Sequence, residues 1–228
     1  MKSIVLSSGG VDSTTCLTAA LLEQVPEDVI SVSVNYGQKH DKELKCAEEV
    51  ALHYNVKHQV LDLSSVFAQS NCALLKTSTD EVKHTSYEAQ LAEGHINTYV
   101  PFRNGVMLSC LAAFAMSLFP DEEIELWIGV HKDDAAGRAY ADCSETFISC
   151  MRDAIYEGTY DKVRIRAPFV QANKASIVKF GLAHGTPYEL TWSCYEGGEE
   201  PCGTCGTCRD RIAAFEANGI TDPIMRKW

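Results

Sequence analysis

The sequence predicts an α/β fold, a doubly wound and mostly parallel sheet with helices on both faces. Short apolar segments typical of buried strands alternate with longer amphipathic segments typical of helices. The length of 228 residues suits one domain with a substantial core. Four cysteines crowd the last fifth of the chain, which favours a metal-binding element there. We therefore expect a single domain over residues 1–228, with a zinc-stapled C-terminal element at about 192–212.

The first half of the chain predicts three strands and two helices. The apolar run 4–6 predicts a buried strand, and residues 13–22 predict a helix that is apolar along one face. Residues 29–35 are β-branched and alternating, which predicts the second strand. The amphipathic segment 41–54 predicts a helix, and 56–61 predicts the third strand.

The second half begins with an irregular segment. Residues 70–94 mix Ser, Thr, Asn, Lys and Glu without a sustained period, which is typical of a lid or binding loop. Residues 104–118 are apolar on most sides and predict a helix buried against the sheet, and 124–130 predict another buried strand. Three further elements are expected: a helix at 144–156, a strand at 163–167, and a helix at 173–185 that begins at a capping asparagine and stops before Pro187.

The segment Ser8-Gly9-Gly10-Val11-Asp12-Ser13 directly follows the first predicted strand and indicates a phosphate cradle. Glycines let the backbone approach a ligand closely, and the first N–H groups of the following helix point at any bound anion. The Walker pattern is absent, which argues against transfer of a terminal phosphate. The structural alternative is a glycine turn whose helix is capped by Ser13 or Asp12.

Charge and hydropathy exclude several classes of partner. The net charge is −11, from 31 acidic and 20 basic side chains, and a field of that sign repels nucleic acid. No apolar stretch approaches the ~20 residues that span a bilayer. The chain reaches the cradle directly after its first apolar run, which therefore reads as a core strand and not as a signal peptide. We expect a cytoplasmic protein.

The C-terminal cysteines have the spacing C-x7-C-x2-C-x2-C. They are Cys194, Cys202, Cys205 and Cys208. Glycines at 203 and 206 allow a tight loop, so that several thiolates can face one point. Four thiolates suit a closed, tetrahedral and structural Zn²⁺ site. An iron–sulfur cluster and a redox-active C-x-x-C pair are the alternatives.

The cradle, the cysteine set and several landmarks between them resemble the 7-cyano-7-deazaguanine synthase family of PP-loop ATP pyrophosphatases, over nearly the whole chain. The landmarks are Asn35-Tyr36-Gly37-Gln38-Lys39-His40, Val100-Pro101-Phe102-Arg103-Asn104, Asp142-Cys143, Lys174 and Thr191-Trp192-Ser193-Cys194-Tyr195. The resemblance implies an adenine nucleotide alpha hydrolase-like fold. It also implies an enzyme of queuosine biosynthesis, a ligase that forms carbon–nitrogen bonds.

The implied reaction converts 7-carboxy-7-deazaguanine and ammonia to the nitrile through an adenylated acid and an amide. ATP, with Mg²⁺, would be split to AMP and pyrophosphate. By resemblance, the nucleotide contacts are Ser7, Ser8, Gly9, Gly10, Val11, Asp12, Ser13, Thr14, Thr15, Cys16 and Leu17. Lys174, Asp12 and Arg103 would be catalytic, and Asn104 would contact phosphate or the purine-like ring. The resemblance also implies a homodimer with small-molecule substrates.

The residues themselves leave plainer interpretations open. Lys174 could be a solvated lysine in the first turn of its helix, and Arg103 could be an ordinary ion-pair partner. The chain also differs from the family pattern in the altered segment 133–143 and at Phe102, where glycine is common. The alternatives are therefore a related enzyme that stops at the amide, a tRNA-thiolating PP-loop protein, and a non-enzymatic zinc-ribbon module with a nucleotide-sensing domain.

Overall fold

Five parallel strands form one sheet in the order β3-β2-β1-β4-β5 in the computed structural model, which describes residues 1–85, 87–94 and 96–225. The strands are β1 Lys2–Leu6, β2 Val29–Asn35, β3 Lys57–Asp62, β4 Ile124–Trp127 and β5 Val163–Arg166. The helices are α1 Val11–Glu23, α2 Lys42–His53, α3 Ser64–Phe67, α4 Tyr87–Ala92, α5 Arg103–Leu118, α6 Lys132–Ala135, α7 Glu145–Gly158, α8 Lys174–Ala183 and α9 Gly206–Glu216. The predicted α/β fold with a parallel sheet is confirmed.

The strand order places a switch point between β1 and β4. The chain builds outward from β1 to β3 on one side, then returns to add β4 and β5 on the other side. Because the connections after β1 and β4 leave in opposite directions, a crevice opens at the carboxyl ends of these two strands. The predicted cradle follows β1 directly and lies at this crevice.

Apolar side chains bury both faces of the sheet. Ile4 packs in the cluster that contains Leu108 of α5 and Ile148 of α7. Its neighbour Val5 points the opposite way, into a cluster with Leu17 of α1. This alternation follows the two-residue period of a strand, and it holds the start of α1 firmly against the sheet.

The predicted elements are present, with some shifted ends. Strand β4 ends at Trp127, although the prediction extended it to 130. Its pairing with both neighbouring strands ends at that residue, opposite Val5 and Arg166, and Gly129 beyond it packs against the first turn of α1, where an added Cβ would lie 2.7 Å from the carbonyl oxygen of Asp12. Helix α1 begins at Val11 and its N-cap is Gly10, so the alternative of a cap by Ser13 or Asp12 is wrong. Helix α9 was not predicted as a separate helix, because the sequence analysis included its first residues in the metal-binding element at about 192–212.

The predicted irregular segment 70–94 and the altered segment 133–143 both contain short helices. The predicted lid, 70–94, includes α4, and Ser86 within it lies outside the described residues. The segment 133–143 continues from α6 into two 3-10 turns. At Gly137 and Arg138 the backbone is left-handed, with φ of 60° and 64°. Among the helices of the described ranges, none combines the length and the apolarity needed to cross a bilayer.

Candidate active site

The cradle joins the end of β1 to the start of α1. Gly10 has extended backbone angles and supplies no side chain to cap the helix, so the first N–H groups of α1 face the cleft without a side-chain cap. The hydroxyl of Ser13 accepts a bond from the Ser8 N–H at 3.1 Å and lies 3.0 Å from the Ser8 hydroxyl. These bonds link the two ends of the loop, so that it folds around the N-terminus of α1. Such a terminus binds anions, phosphate above all.

Position 9 requires glycine, both because of its backbone conformation and because there is no room for a side chain. Its φ is +80°, in the left-handed region, and an added Cβ would collide with the carbonyl oxygen of Glu43 in the first turn of α2. On the other side of the loop, the Trp192 N–H donates to the Gly9 carbonyl at 2.9 Å. The cradle is therefore packed between α2 and the C-terminal segment.

A cluster of ionisable side chains lies beside the cradle. Lys174 Nζ, from the first turn of α8, donates to Asp12 Oδ2 at 2.7 Å. His131 Nε2 lies 3.6 Å from the same carboxylate oxygen and 3.4 Å from Asp134 Oδ2. Asp133 accepts a bond from the Lys174 main-chain N–H at 2.8 Å, which fixes the start of α8 over the cleft. Three helices, α1, α6 with its N-cap His131, and α8, thus bring these cationic and acidic side chains together.

The charge states of this cluster follow from burial and from the neighbouring charges. Burial opposes ionisation of Asp12, but the charges of Lys174 and His131 outweigh it and hold the pKa of Asp12 well below its usual range. Burial also opposes the charge of Lys174, but Asp12 and Asp134 keep its pKa raised. Burial raises the pKa of Asp134 despite the nearby cations. The Lys174–Asp12 pair is therefore ionised at neutral pH.

Another part of the cleft wall is partly aromatic. It includes Tyr36 after β2, Glu43 of α2, Arg103 of α5 and Tyr140. The Arg103 guanidinium lies 5.4 Å from the centre of the Tyr36 ring, in a cation–π arrangement. A flat ring could be held on this wall beside the cradle.

The N-terminus of α5 is tied to the segment after β4. Asn104 donates from its main chain to Asp142 Oδ2 at 2.9 Å, and its amide donates to the Asp142 carbonyl at 3.0 Å. The same amide lies 3.3 Å from Cys143 Sγ. Phe102, at the N-cap, has a φ of 53°, in the left-handed region. This backbone angle is the physical reason that glycine suits position 102.

The four predicted cysteines meet at one point. Their Sγ atoms all lie within 4.8 Å of one another, and the distance from Cys202 Sγ to Cys208 Sγ is 4.0 Å. Four sulfurs around one tetrahedral ion with Zn–S bonds of about 2.3 Å would lie about 3.8 Å apart. Cys194, Cys205 and Cys208 are buried, and Cys202 is partly buried. The cluster can hold a metal, as predicted.

Main-chain N–H groups support these thiolates. The N–H groups of Cys202 and Glu196 lie 3.3 and 3.4 Å from Cys194 Sγ, and the N–H of Cys205 lies 3.3 Å from Cys202 Sγ. The hydroxyl of Thr207 lies 3.4 Å from Cys205 Sγ. Donors of this kind stabilise negative charge on a ligand and fix its orientation.

The metal-binding element is also one wall of the cleft, because Ser193, Tyr195 and Thr207 border it. A buried ion pair joins helix α9 of this element to the segment that follows it. Arg211 of α9 is fully buried and donates to both carboxylate oxygens of Asp222, at 2.6 and 2.9 Å. The segment that carries the cysteine cluster therefore helps to form the cleft.

Comparison with known proteins identifies the family. The family described as "Queuosine biosynthesis protein QueC" matches residues 2–219. The chain belongs to the QueC family. It is 39% identical over 226 residues to a 7-cyano-7-deazaguanine synthase of Archaeoglobus fulgidus, covering 99% of this chain and 90% of the relative. It is 38% identical over 226 residues to the synthase of that name from Oceanobacillus iheyensis, covering 98% of this chain and 97% of the relative. The predicted family and the prediction of an enzyme are confirmed.

A solved structure supports the fold of this QueC family member. The U34-tRNA thiolase NcsA from Methanococcus maripaludis, with its [4Fe-4S] cluster, superposes with a TM-score of 0.50. The match covers 96% of this chain and 67% of that chain, at 16% identity. Similarity at that level shows a shared fold alone.

The structure brings together most of the residues predicted for the site. Those that border the cleft are Ser7, Ser8, Gly10, Asp12, Ser13, Arg103, Asn104 and Lys174. Thr14, Thr15, Cys16 and Leu17 are instead buried within α1, where Cys16 and Leu17 belong to the core. Their position suits support of the cradle. The amide of Asn104 is engaged by Asp142 and Cys143.

Sequence reasoning missed His131, Glu43 and Tyr140. His131 had a usable signal, because it stands just beyond a buried strand and the carboxyl ends of parallel strands share one edge. Glu43 had none, since it lies among ordinary polar residues at a helix start, and Tyr140 was covered only by the altered segment 133–143.

Proposed function

We propose that this QueC family protein converts 7-carboxy-7-deazaguanine and ammonia to 7-cyano-7-deazaguanine, with two ATP split to AMP and pyrophosphate. The carboxylate oxygen attacks the α-phosphorus of ATP and displaces pyrophosphate. Ammonia then attacks the acyl carbon and displaces AMP, which gives the amide. The amide oxygen attacks a second ATP in the same way and displaces pyrophosphate, and loss of AMP and of both N–H protons forms the nitrile.

One observation carries this proposal: a single cleft contains an anion-binding helix terminus, a paired lysine and a wall suited to a flat ring. The Walker lysine is absent, and Lys174 reaches the cradle from α8 instead. In this arrangement the cradle would grip the pyrophosphate portion of ATP, which leaves the α-phosphorus open to attack. The names of the curated relatives support the same reaction.

Lys174 would neutralise the charge that builds on the phosphate oxygens during transfer. Its contact with Asp12 positions it before ATP binds. Asp12 Oδ1 is buried and lacks a hydrogen-bond partner among the described residues, which fits a Mg²⁺ ligand. Mg²⁺ would be held by this carboxylate together with ATP phosphates and waters, and it supplies charge neutralisation.

Arg103 would face the substrate carboxylate across the cleft from the cradle. It lies near enough to Asp134 to lower the pKa of that carboxyl. An arginine in this place can orient an anionic substrate for attack on ATP. The segment 70–94 would close over the cleft and exclude water from the adenylated intermediates.

The cysteine cluster would hold one structural Zn²⁺. The sulfur separations suit four thiolates on a single ion. An iron–sulfur cluster interposes several metal atoms, so its cysteine sulfurs would lie farther apart. We also propose that residues 1–228 form a single domain, that the protein is cytoplasmic and that it forms a homodimer.

The test is mass spectrometry of the products formed from ATP, ammonium and 7-carboxy-7-deazaguanine, together with assays of AMP and pyrophosphate. We expect the nitrile and two AMP for each acid consumed. Release of ADP and orthophosphate would overturn the proposal, as would nucleotide hydrolysis that does not depend on the acid.

The second candidate function is that of a related enzyme whose reaction stops at the amide. Formation of the amide, with one AMP released for each acid consumed, would identify it. The altered segment 133–143 favours this candidate, because Asp134, Tyr140 and Cys143 of that segment border the cleft.

A further inference from the structure

Glu43 is a partly buried carboxylate at the edge of the proposed substrate site. It lies in the first turn of α2 and borders the cleft. Its main chain is pinned by Gly9, whose α-carbon packs against the Glu43 carbonyl. The side chain therefore projects from a fixed point between the cradle and the wall that carries Tyr36 and Arg103.

No other described side chain or main-chain group forms a hydrogen bond or an ion pair with the Glu43 carboxylate. Arg103 is near enough to lower the pKa of Glu43, but burial outweighs that effect and raises it to about 7. Leaving a carboxylate unpaired in such a place is unfavourable, because the group loses solvation without gaining donors. A ligand that supplies donors would remove this penalty.

The shape of a carboxylate restricts which ligand suits it. Two oxygens side by side accept best from two N–H donors side by side. The adenine of ATP presents one exocyclic amine, whereas a guanine-type ring presents a ring N–H next to an exocyclic amine.

We propose that Glu43 is the specificity residue that recognises the 2-aminopyrimidinone edge of the deazapurine, accepting one bond from the ring N–H and one from the 2-amino group. This inference rests on the proposed function, and it names the edge of the substrate ring that the protein recognises. The structural alternative is a carboxylate that only interacts with the N-terminus of α2.

The experiment combines the substitution of Glu43 with the removal of the 2-amino group from the substrate. Wild-type protein and E43Q are each assayed for pyrophosphate release with 7-carboxy-7-deazaguanine and with the analogue that lacks the 2-amino group. Glu48→Gln, at an exposed position of the same helix, is the matched control. Thermal unfolding of each variant is recorded.

We expect wild-type protein and the control to prefer the complete substrate by about 10- to 100-fold in kcat/KM, the range for a hydrogen bond to a charged group. E43Q should lose a similar factor with the complete substrate and show little preference between the two. A merely structural role would lower both rates equally and leave the preference intact, which overturns the inference. If wild-type protein does not turn over the complete substrate, the proposed function fails instead.

Discussion

Lys174 Nζ lies 2.7 Å from Asp12 Oδ2, although 162 positions separate the two residues in the sequence. The contact joins the first turn of α8 to the first turn of α1, next to the uncapped end of that helix. Asn173 caps α8 by accepting from the Ser176 N–H at 2.8 Å, so Lys174 projects from a fixed helix terminus. Positive charge is thereby held at the cradle without a Walker lysine.

Replacement of Lys174 by Ala should lower the rate of adenylation by about 100- to 1000-fold, as for loss of one preorganised donor to transition-state charge. Thermal stability should change far less. Lys179→Ala, at an exposed position of the same helix, is the control and should keep full activity. Pyrophosphate release measures the rate. Equal loss of activity and stability in Lys174→Ala would contradict a catalytic role.

The raised pKa of Glu43 predicts a pH dependence of stability. Burial raises this pKa from 4.5 to about 7, so between these values the folded protein binds a proton that the unfolded chain has released. The free energy of unfolding should therefore fall as the pH rises from 4.5 to 7. Glu43→Gln should lack this component and become relatively more stable above pH 7. Urea unfolding at pH 5 and pH 8 measures the difference, and an unchanged difference between the two proteins would refute the prediction.

Phe102 and Gly105 should be energetically coupled. A Cβ at position 105 would collide with the outer end of the Phe102 ring, a half-exposed side chain that must then move, so Gly105→Ala should gain little of the ~1 kcal/mol that alanine offers over glycine in a helix. Phe102→Gly removes the ring and relaxes a left-handed residue. In that background, Gly105→Ala should stabilise the protein by about 1 kcal/mol. Urea unfolding of the four proteins tests the coupling, and equal changes in both backgrounds would argue against it.

The Arg211–Asp222 pair should be essential for the C-terminal element. Asp222→Asn leaves a fully buried guanidinium without its counter-charge, which we expect to lower the free energy of unfolding by about 3–5 kcal/mol. Glu216→Gln, at an exposed position of α9, should be neutral. Chemical unfolding measures both variants. A small effect of Asp222→Asn would mean that the pair contributes little.

Removal of the metal should unfold the C-terminal element and open the cleft. We expect about one zinc per chain by elemental analysis, lost in Cys205→Ser and kept in Cys150→Ser, whose cysteine is exposed and lies outside the cluster. Helical content should fall with the zinc, since Cys205 is the N-cap of α9. The KM for substrate should rise because the element borders the cleft. Visible absorbance with iron and labile sulfide would contradict the assignment.

Much of the architecture could be predicted, because strands and helices leave recognisable patterns in short stretches of sequence. Strand β2 is recognisable from its β-branched alternation, and α8 from its capping asparagine and the proline that follows. The end of β4 was predicted too late, because the apolar run continues past Trp127, where pairing with the neighbouring strands ends and the chain packs against α1 at Gly129 instead. Apolar character does not report such a contact with a distant helix.

By itself, the sequence determined the α/β class, the cradle after β1 and the cysteine spacing, because each depends on residues close together in the chain. Only the tertiary structure decided that His131 and Asp134 join Asp12 and Lys174, and that Glu43 lies in the same cleft. The physical reason is the strand order. It brings the carboxyl ends of β1, β2 and β4 to one edge, and the side chains that follow them meet there irrespective of their separation in sequence.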